Sequence, residues 1–572
     1  MGEWFLYSLA IFGLTFAHED VALVMAAFAI LETGLPISMA ALSLYCGIVA
    51  SDLALYILGR LARGNSWLHR RFIGRRVVEA SSWLSGNLLK VMALCRIAPG
   101  LLFATFVACG WLRISFGKFF RISMLTAAVY TPLALTAAML LGNWLLEPLG
   151  LWAWLVTFLA MLALTLYGLL HARRISTTPT PRPQPRLSIV GRLRRRQGLR
   201  RRHQGMPSLA GLARKIAVAE RIPTVLFYLP LTLRWIWLGL RYGSLTLPTI
   251  ANPAIETGGF WGESKSDCMG QIGAEQQQWL AKFISLRTSL ADTETATDTR
   301  LALEHMHNAG LTFPVVIKPD IGWQGFGVRL VDNTAELRDY LADFPRGEKI
   351  ILQQHIPFDG EAGVFYARPP GAPQGQIYSL TLRYFPYVVG DGQATVRELI
   401  LQDARARFKA DYFLGGFQEH AGLSEKELES VPAGGEVVRL AFIGSIRVGG
   451  LYRDGRHLIT ETLTNRIDQI AQSIPEFWYG RFDIRFESID RLQQGEGFAI
   501  IEINGAGAEA IHVWDPETPL LQTYRDLFQA QTLLFQIANA NRHRGFKPMP
   551  LPAFFAYQRR QQKLIARYPA AE

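Results

Sequence analysis

The chain has 572 residues, half of them hydrophobic, and a formal net charge of +12. This length predicts about three or four domains. The four cysteines form no CxxC pair, which argues against a disulfide scaffold and against a zinc site. Apolar residues dominate positions 1–170, whereas positions 251–545 have the composition of an ordinary globular protein. We therefore expect a membrane part followed by a globular part.

The membrane part consists of apolar runs. They cover Trp4–Ala17, Val21–Ile30, Ile37–Leu58, Leu88–Leu112, Phe116–Leu141 and Leu151–Leu170. Several reach the roughly 20 residues that a membrane-spanning helix needs, and the shorter runs favour re-entrant segments. No basic segment precedes the first run and no cleavage site follows it, so we interpret it as a membrane segment and not as a removed signal peptide.

Ionisable residues interrupt these apolar runs. They are Glu19, Asp20, Glu32, Asp52 and Arg96. An ionisable group at membrane depth is costly and usually marks a transport pathway or a proton relay. For Glu32, a position at the headgroup boundary explains the charge equally well.

Two stretches of the membrane part carry a family resemblance. Gly47–Arg60 reads GIVASDLALYILGR, and Leu94–Gly100 reads LCRIAPG. With Gly110-Trp111 and Phe116 after them, these stretches resemble the DedA (VTT-domain) membrane family, over roughly residues 10–145. The resemblance implies an α-helical polytopic membrane domain with two re-entrant hairpins that face each other, and transport or scrambling of a lipid carrier.

The polar residues fit this family in part. The Glu19-Asp20 pair falls where the family carries its first essential acid, and Asp52 and Arg96 lie within the two motifs. The family's second arginine falls at Leu102, which cannot bind phosphate or carry charge. That departure argues against intact proton-coupled transport.

A basic linker follows at residues 171–204. It is rich in arginine and contains no acidic residue, and the prolines between Pro179 and Pro185 keep its first part extended. Arginine-rich flanks mark the cytoplasmic side of a membrane and attract anionic lipid, by about 1 kcal/mol per charge near the surface. Nucleic-acid binding is the weaker alternative, because the linker has no interleaved aromatic residues and no known motif.

Residues 205–250 contain the apolar stretch Ile222–Leu240. It is barely long enough to span a bilayer, and it includes Pro223, Pro230 and Arg234. If the downstream half uses ATP, a crossing here is excluded, because it would place that half outside the cytosol. We therefore interpret the stretch as a helix lying in the plane of the cytoplasmic membrane surface.

In the globular part, Phe313–Val331 predicts a phosphate-binding loop. Its Val-Val-Ile run is typical of a buried strand that ends at Lys318, and a second strand follows three glycines, Gly322, Gly325 and Gly327. Glycine lets backbone N–H groups approach a ligand, and the lysine supplies a charge for phosphate oxygens. Alone, the stretch fits an ordinary glycine-rich hairpin equally well, and the P-loop spacing is absent.

The residues before this loop favour turns and helices. Ala251–Lys265 is a glycine-rich loop for which turn chemistry and substrate binding are equally good explanations. Helices are predicted near Ser266–Phe283, at Gln277–Leu290 and at Thr297–Ala309.

Further strands are predicted downstream of the loop. Ile350–Pro357 runs into a bend whose polar backbone can hold an adenine edge, and Gly360–Arg368 follows as a second strand. Glu361 in that strand can accept hydrogen bonds from ribose hydroxyls. Ser379–Arg383 adds a strand that ends in an inward-facing base.

The strands Gly480–Phe486 and Gly497–Gly505 predict a hairpin. On neighbouring strands, Asp483, Glu502 and Asn504 can present three oxygen ligands on one face. Such hard ligands suit Mg²⁺ bound together with phosphates, whereas buried acids without a cation would be costly. Solvated residues on a strand face are the alternative.

The order of these motifs carries a second resemblance. A KPxxGxxGxGV segment, a QQHIP bend, RxD and ExN follow one another as in the ATP-grasp superfamily, over roughly residues 275–515. The chain resembles the D-alanine–D-alanine ligase branch, and through Val388–Gly392 and the residues after it the cyanophycin-synthetase-like branch. The resemblance implies an α+β ATP-grasp domain that binds ATP with Mg²⁺ or Mn²⁺.

The ATP-grasp resemblance also implies roles for single residues. The implied nucleotide-binding residues are Lys282, Lys318, Gly322, Gly325, Gly327, Gln354, His355, Pro357 and Glu361; the implied metal ligands are Asp483, Glu502 and Asn504; and Arg383 and Arg481 would face the transferring phosphoryl group. Adenine would lie at Gln354–Pro357 and ribose at Glu361. His512 can help to hold the acceptor, although a structural role is the commoner one for such a histidine.

Together, these features predict a membrane-anchored, ATP-dependent carboxylate–amine ligase that forms an acyl phosphate, on a lipid-linked or membrane-associated substrate. The predicted order is a DedA-like domain (1–170), the linker (171–204), a membrane-interface segment (205–250), an ATP-grasp domain (251–545) and a tail (546–572). We expect a multi-pass protein of the inner (plasma) membrane, with the ATP-grasp domain in the cytoplasm and no nucleic-acid partner. The alternative is a lipid-carrier transporter or scramblase whose ATP-grasp domain senses nucleotide without chemistry.

Overall fold

A computed structural model describes residues 2–16, 18–62, 88–97, 101–141, 203–209, 215–222, 224–291, 295–414 and 423–571. The chain divides into two compact units, Met1–Thr180 and Pro181–Glu572. This division falls inside the basic linker that the sequence predicts at 171–204, whose residues up to 202 lie outside the described ranges.

The described part of the first unit is helical. Its helices are α1 (Gly2–Leu14), α2 (Glu19–Thr33), α3 (Ile37–Ala62), α4 (Leu88–Ile97), α5 (Leu101–Trp111) and α6 (Phe116–Leu141). Among the described residues, two helices are long and apolar enough to cross a membrane, Ile37–Ala62 and Phe116–Met139. The predicted run Leu151–Leu170 lies outside the described residues, and the re-entrant hairpins stay a prediction.

Helices α3 and α5 pack closely through two glycines of the DedA-like motifs. A Cβ atom on Gly59 would overlap the carbonyl oxygen of Val107, and one on Gly110 would overlap that of Tyr56. The Tyr56 hydroxyl also donates a 2.6 Å hydrogen bond to the carbonyl of Ile114. These motif residues therefore set the spacing of two helices, which is a structural reason for them that holds whatever the unit does.

The second unit contains both helices and strands. Its helices are α7 (Val218–Arg221), α8 (Thr224–Arg241), α9 (Lys265–Gly270), α10 (Thr295–Asn308), α11 (Thr334–Asp343), α12 (Val396–Gln402), α13 (Ala404–Phe408), α14 (Ala410–Phe413), α15 (Glu425–Leu428), α16 (Glu461–Gln472), α17 (Ile489–Gln493), α18 (Leu520–His543) and α19 (Leu551–Ile565). The long helix predicted at Ser266–Phe283 is wrong, because α9 ends at Gly270.

An antiparallel sheet of four strands follows α9. Its order is β1-β4-β2-β3, with β1 at Phe283–Arg287, β2 at Val315–Pro319, β3 at Arg329–Val331 and β4 at Lys349–Gln354. The two strands predicted around the glycine loop are therefore confirmed. Helices α10 and α11 cover the sheet with a shared apolar core that includes Met306, Tyr340 and Ile317.

The helix predicted at Gln277–Leu290 is wrong. Residues Ala274–Trp279 form a 3₁₀ helix, and β1 takes up the rest of the predicted range. The strand pairs with β4 along its whole length, from Phe283 opposite Gln353 to Arg287 opposite Lys349. This ladder of backbone hydrogen bonds with a distant segment outweighs the local helix preference of the sequence.

A second antiparallel sheet has five strands in the order β11-β10-β5-β6-β9. The strands are β5 (Gly360–Ala367), β6 (Gln376–Tyr384), β9 (Leu451–Asp454), β10 (Tyr479–Phe486) and β11 (Phe498–Asn504), and a separate pair joins β7 (Tyr387–Val389) to β8 (Val437–Arg439). The predicted hairpin of β10 and β11 is confirmed, with the short helix α17 between its strands. One face of this sheet packs on α16, and the opposite face is turned to the candidate site.

Candidate active site between the two sheets

Lys318, at the end of β2, connects the two sheets. Its ammonium donates 2.8 Å hydrogen bonds to the Gln353 side chain in its own sheet and to the carbonyl of Ile501 in β11. Burial, helped by the nearby charge of Lys265, lowers the pKa of Lys318 to about 8. Lys318, which the sequence predicts to bind phosphate, is therefore held where the two sheets meet.

The glycine loop lies next to this lysine. Gly325 and Gly327 have φ angles of +78° and +72°, in the left-handed region that favours glycine. The loop is also held from outside: the Arg447 guanidinium stacks over Phe326 at 4.0 Å and donates a 3.3 Å hydrogen bond to the carbonyl of Gln324. Sequence reasoning missed Arg447, because nothing in its own neighbourhood indicates this distant contact.

The three predicted metal ligands come together on one side of the β10–β11 hairpin. Asp483 lies opposite Glu502, and Arg481 lies opposite Asn504. The Asn504 amide nitrogen is 3.5 Å from the Asp483 carboxylate. The register shifts by one residue after Asp483, and Asp483 lies opposite Glu502 just before this shift.

Two arginines neutralise Asp483. Arg481 donates to its carboxylate at 2.6 and 3.1 Å, and Arg383 from β6 donates at 3.1 Å. Arg383 also lies 3.2 Å from Glu361 on β5, and so joins the two carboxylates. Both arginines that the sequence assigns to phosphoryl transfer are thus half-buried beside the candidate metal ligand Asp483.

Glu361 is held by two guanidinium groups. Burial opposes its ionisation, but the charges of Arg383 and Arg485 outweigh that cost and lower the pKa of Glu361. Arg485 contacts it at 3.0 Å. A ribose contact would have to share the carboxylate with these arginines, so the ribose role stays a prediction.

Glu502 forms an ion pair with Lys265, a residue that sequence reasoning did not single out. The Lys265 ammonium lies 2.7 Å from the Glu502 carboxylate, and only 8% of the lysine side chain is exposed. Burial of Glu502 is outweighed by the charges of Lys265 and Lys318, which lower its pKa to about 2. The only sequence signal for Lys265 was its position at the end of the glycine-rich loop 251–265.

That loop is seated on the end of β11, directly after Asn504. The carbonyl of Gly258 accepts a 2.9 Å hydrogen bond from the backbone of Ala506, and a Cβ atom on Gly259 would come within 2.6 Å of the Gly505 Cα atom. Only two facing glycines permit so close an approach. The loop therefore forms a wall beside Asn504, and its role in substrate binding stays a prediction.

The predicted adenine and lysine positions lie at the edge of the first sheet. Gln354 ends β4 as an exposed residue, and its backbone donates a 2.8 Å hydrogen bond to the carbonyl of Lys282, which is also exposed. His355 lies 6.2 Å, ring to ring, from Phe442, and Pro357 is exposed. Gln354, His355 and Pro357 lie in one bend, and the adenine assignment stays a prediction. The glutamine that contacts Lys318 is Gln353 and not Gln354.

His512 is buried in a hydrogen-bonded chain. Its two ring nitrogens lie 2.8 Å from the Ser379 hydroxyl and 2.8 Å from the Asp526 carboxylate. Both ring nitrogens have hydrogen-bond partners, and only 2% of the residue is exposed. These facts favour a structural role for His512 over contact with an acceptor substrate. Ser379 is equally buried, so this serine, histidine and aspartate do not form an accessible nucleophile site.

Comparisons with solved structures find distant matches over about half of the chain. No protein-family model and no curated protein matches. Similar solved structures include a bifunctional glutathione synthetase from Pasteurella multocida (19% identity, TM-score 0.25, 46% of this chain and 36% of that one). Others are the VanG D-Ala:D-Ser ligase from Enterococcus faecalis (14%, 0.26, 47% and 61%) and the D-alanine-D-alanine ligase from Coxiella burnetii (11%, 0.24, 53% and 62%). The chain spans less than two thirds of the length of each of these three proteins.

The donor set beside β11 suits a divalent cation. Two carboxylates and an amide supply hard oxygen ligands, which Mg²⁺ prefers. Within the described ranges, no cluster of three or more His, Cys, Asp and Glu side chains has the arrangement of a metal site. A cation here would therefore rest on Asp483, Glu502 and Asn504, with further oxygens from the nucleotide.

The polar residues of the first unit form a separate buried cluster. Arg96 is paired with Asp52, lies 3.7 Å from Glu19, and donates a 3.1 Å hydrogen bond to Thr126. One oxygen of Glu19, one oxygen of Asp52 and one nitrogen of Arg96 are buried without a hydrogen-bond partner among the described residues. Asp20 is not part of the cluster, because it faces His18 and is 43% exposed on its side chain.

Proposed function

We propose that the chain is an ATP-dependent ligase that joins a carboxylate to an amine through an acyl phosphate. The observation that carries this proposal is the juxtaposition of Lys318 with the hairpin of Asp483, Glu502 and Asn504. A buried lysine from one sheet thus reaches the backbone of the strand that carries Glu502 and Asn504, beside Asp483 and two half-buried arginines. Cations for phosphates and oxygens for Mg²⁺ are the groups that phosphoryl transfer needs.

In this proposal, Lys318 and the backbone of the glycine loop hold the ATP phosphates. Asp483, Glu502 and Asn504 hold Mg²⁺, which neutralises phosphate charge when bound. Arg383 and Arg481 orient the γ-phosphoryl group and stabilise its charge during transfer.

The reaction proceeds in two substitutions. A carboxylate oxygen of the donor attacks the γ-phosphorus, and the bond to the ADP oxygen breaks. An amine then attacks the acyl carbon, phosphate leaves with the bonding electrons, and the nitrogen loses a proton. The site acts by positioning and charge neutralisation, and it needs no protein nucleophile.

ADP release tests this proposal directly. The full chain is purified in detergent and screened with pairs of carboxylates and amines, and the product is identified by mass spectrometry. We expect D483N and E502Q each to lower ADP release by at least about 100-fold, because each removes a carboxylate charge that is proposed to hold Mg²⁺. D490N, at an exposed aspartate on α17, is the matched control. Unchanged ADP release in D483N and E502Q would overturn the assignment.

We further propose that the ligase acts at a membrane surface, and a stripe of apolar side chains on α8 supports this. Leu233, Ile236, Trp237 and Leu240 are 60%, 43%, 44% and 74% exposed, although the same helix packs its other side on α18. The guanidinium groups of Arg234 and Arg241 lie over the Trp237 ring at 4.4 and 5.3 Å. Helix α8 contains no acidic residue. An apolar stripe with tryptophan and flanking arginines fits an anionic bilayer surface.

The alternative function is lipid-carrier transport by the first unit. The buried cluster of Glu19, Asp52 and Arg96 favours it, because ion pairs at membrane depth usually serve transport. Reconstituted vesicles that contain the full chain can test it with a labelled lipid carrier. R96Q should then stop transport whereas D483N should not. If D483N stops ligation and R96Q leaves the movement of the labelled lipid unchanged, the first unit serves only to attach the chain to the membrane.

A further inference from the structure

Lys265 lies between two parts of the candidate site. It begins helix α9, its ammonium is 2.7 Å from Glu502, and its Cε atom is 3.5 Å from where a Cβ atom on Gly322 would lie. Glu502 is a candidate metal ligand, and Gly322 belongs to the candidate phosphate loop. The side chain therefore reaches from the metal position to the phosphate position.

The backbone around Lys265 is fixed to the first sheet. Its N–H donates a 3.1 Å hydrogen bond to the carbonyl of Asp320, and the next N–H, of Ser266, donates to the Asp320 carboxylate at 2.8 Å. Ser264 caps the helix by accepting a hydrogen bond from the backbone of Asp267. The main chain is thus anchored, so any displacement of the ammonium has to come from rotation about the bonds of the lysine side chain.

The ion pair places a full positive charge on a metal ligand. The ammonium lies 2.7 Å from the Glu502 carboxylate, and only 8% of the lysine side chain is exposed, so the charge is held at this position.

A divalent cation and this ammonium compete for Glu502. Both are positive, both need the carboxylate oxygens, and their repulsion is strong in a buried site of low dielectric constant. Binding of Mg²⁺ therefore requires the ammonium to move away. The phosphate loop beside its stem offers a new anionic partner once ATP is bound.

We propose that Lys265 is a tethered counter-ion, which neutralises Glu502 before Mg²⁺ binds and then moves to the transferring phosphoryl group. This inference rests on the proposed ligase function and adds a residue to it. Loop 251–265 would then have two roles. It lines the site, and it carries the lysine whose ammonium leaves Glu502 when the metal binds.

Binding of Mn²⁺ without nucleotide tests the first half of the proposal. The free ion is measured by electron paramagnetic resonance in titrations of the full chain. K265M removes a competing charge, so we expect it to bind Mn²⁺ about tenfold more tightly than the unchanged protein. K265R keeps the charge and should stay within about twofold. Weaker or unchanged binding in K265M overturns the proposal, because a merely structural ion pair would leave the ligand set looser when broken.

The second half is tested by single-turnover phosphoryl transfer. Release of the ammonium to the phosphoryl group predicts that K265M, despite tighter Mn²⁺ binding, transfers at least about tenfold more slowly at saturating ATP. K265Q provides a second uncharged variant should K265M fold poorly, and K426M, at an exposed lysine on α15, controls for net charge.

If D483N still binds Mn²⁺ and transfers phosphate normally, the proposed function fails. If D483N fails but K265M and K265Q behave like the unchanged protein, only the role of Lys265 fails.

Discussion

Tyr228, on helix α8, donates a 2.8 Å hydrogen bond to the carboxylate of Glu509. Glu509 lies in the loop after Asn504, and its backbone carbonyl accepts a 3.2 Å hydrogen bond from Arg481. The helix that carries the exposed apolar stripe is therefore connected to a candidate catalytic arginine by two hydrogen bonds. Burial raises the pKa of Glu509, while the Tyr228 hydroxyl favours the ionised form.

Replacing Tyr228 with phenylalanine tests this connection. The variant removes one of the side-chain donors to the half-buried Glu509 carboxylate, and the loss of a hydrogen bond to a charged group costs about 2 kcal/mol of unfolding free energy. We expect the rate of ATP turnover to fall about tenfold while the nucleotide Kd stays unchanged, because Arg481 acts on the transferring group. Chemical denaturation and ADP release measure the two effects. Y378F, at a half-exposed tyrosine on β6, should change neither.

The apolar stripe predicts contact with lipid at defined positions. Spin labels at W237C and L240C, in a full chain whose native cysteines are replaced, are placed in nanodiscs of anionic lipid. We expect both labels to be accessible to oxygen and protected from a nickel chelate, as for groups at the acyl boundary. A label at L290C, another exposed leucine of the same unit, should show the opposite pattern. Nickel accessibility at Trp237, or spin–spin broadening from a second copy, would contradict a bilayer contact.

The strands that build the site were predictable because each has a local signal. Val315–Pro319 is an apolar run that ends in a lysine and a proline, and Tyr479–Phe486 alternates apolar with charged residues. Their antiparallel register then follows from the short connections, and it brings Asp483 opposite Glu502 as alternation requires.

The ion pairs of the site could not be predicted in the same way. Lys265 and Glu502 are 237 positions apart, and the pair exists only because the loop 251–265 is seated on the glycine after Asn504. Strand β1 was mistaken for a helix for a related reason, since its partner β4 lies some 70 residues downstream. In both cases long-range contacts decide what local propensity leaves open.

Asn252 should be a large contributor to the stability of the loop wall. The buried amide donates to the carbonyls of Gly258 and Tyr479 at 3.0 and 2.8 Å, and its oxygen accepts from the backbone of Trp478 and Tyr479 at 2.9 and 3.0 Å. N252A leaves these backbone groups buried without partners, which costs about 3 kcal/mol.

We expect N252A to unfold at lower denaturant concentration and to lose substrate-dependent ADP release, because the loop no longer rests on Gly505. N333A, which removes a helix cap on α11 away from the site, should cost about 1 kcal/mol and leave ADP release intact. Equal losses of stability in the two variants would argue against a special role for Asn252.

Lys318 predicts how nucleotide binding depends on pH. Its folded-state pKa of about 8 lies below the usual 10.5, so the folded chain loses this proton before the unfolded chain does. Stability should therefore rise between these two pH values, since the unfolded state binds more protons there.

Phosphate binding should change in the opposite direction, because the cation disappears as the pH rises through 8. We expect the Kd for ATP, measured without metal, to increase up to about tenfold per pH unit above that point. K318R keeps its charge throughout, so its Kd should stay flat from pH 7 to about 9.5. The same rise in K318R would assign the titration to another group and leave Lys318 without the proposed role.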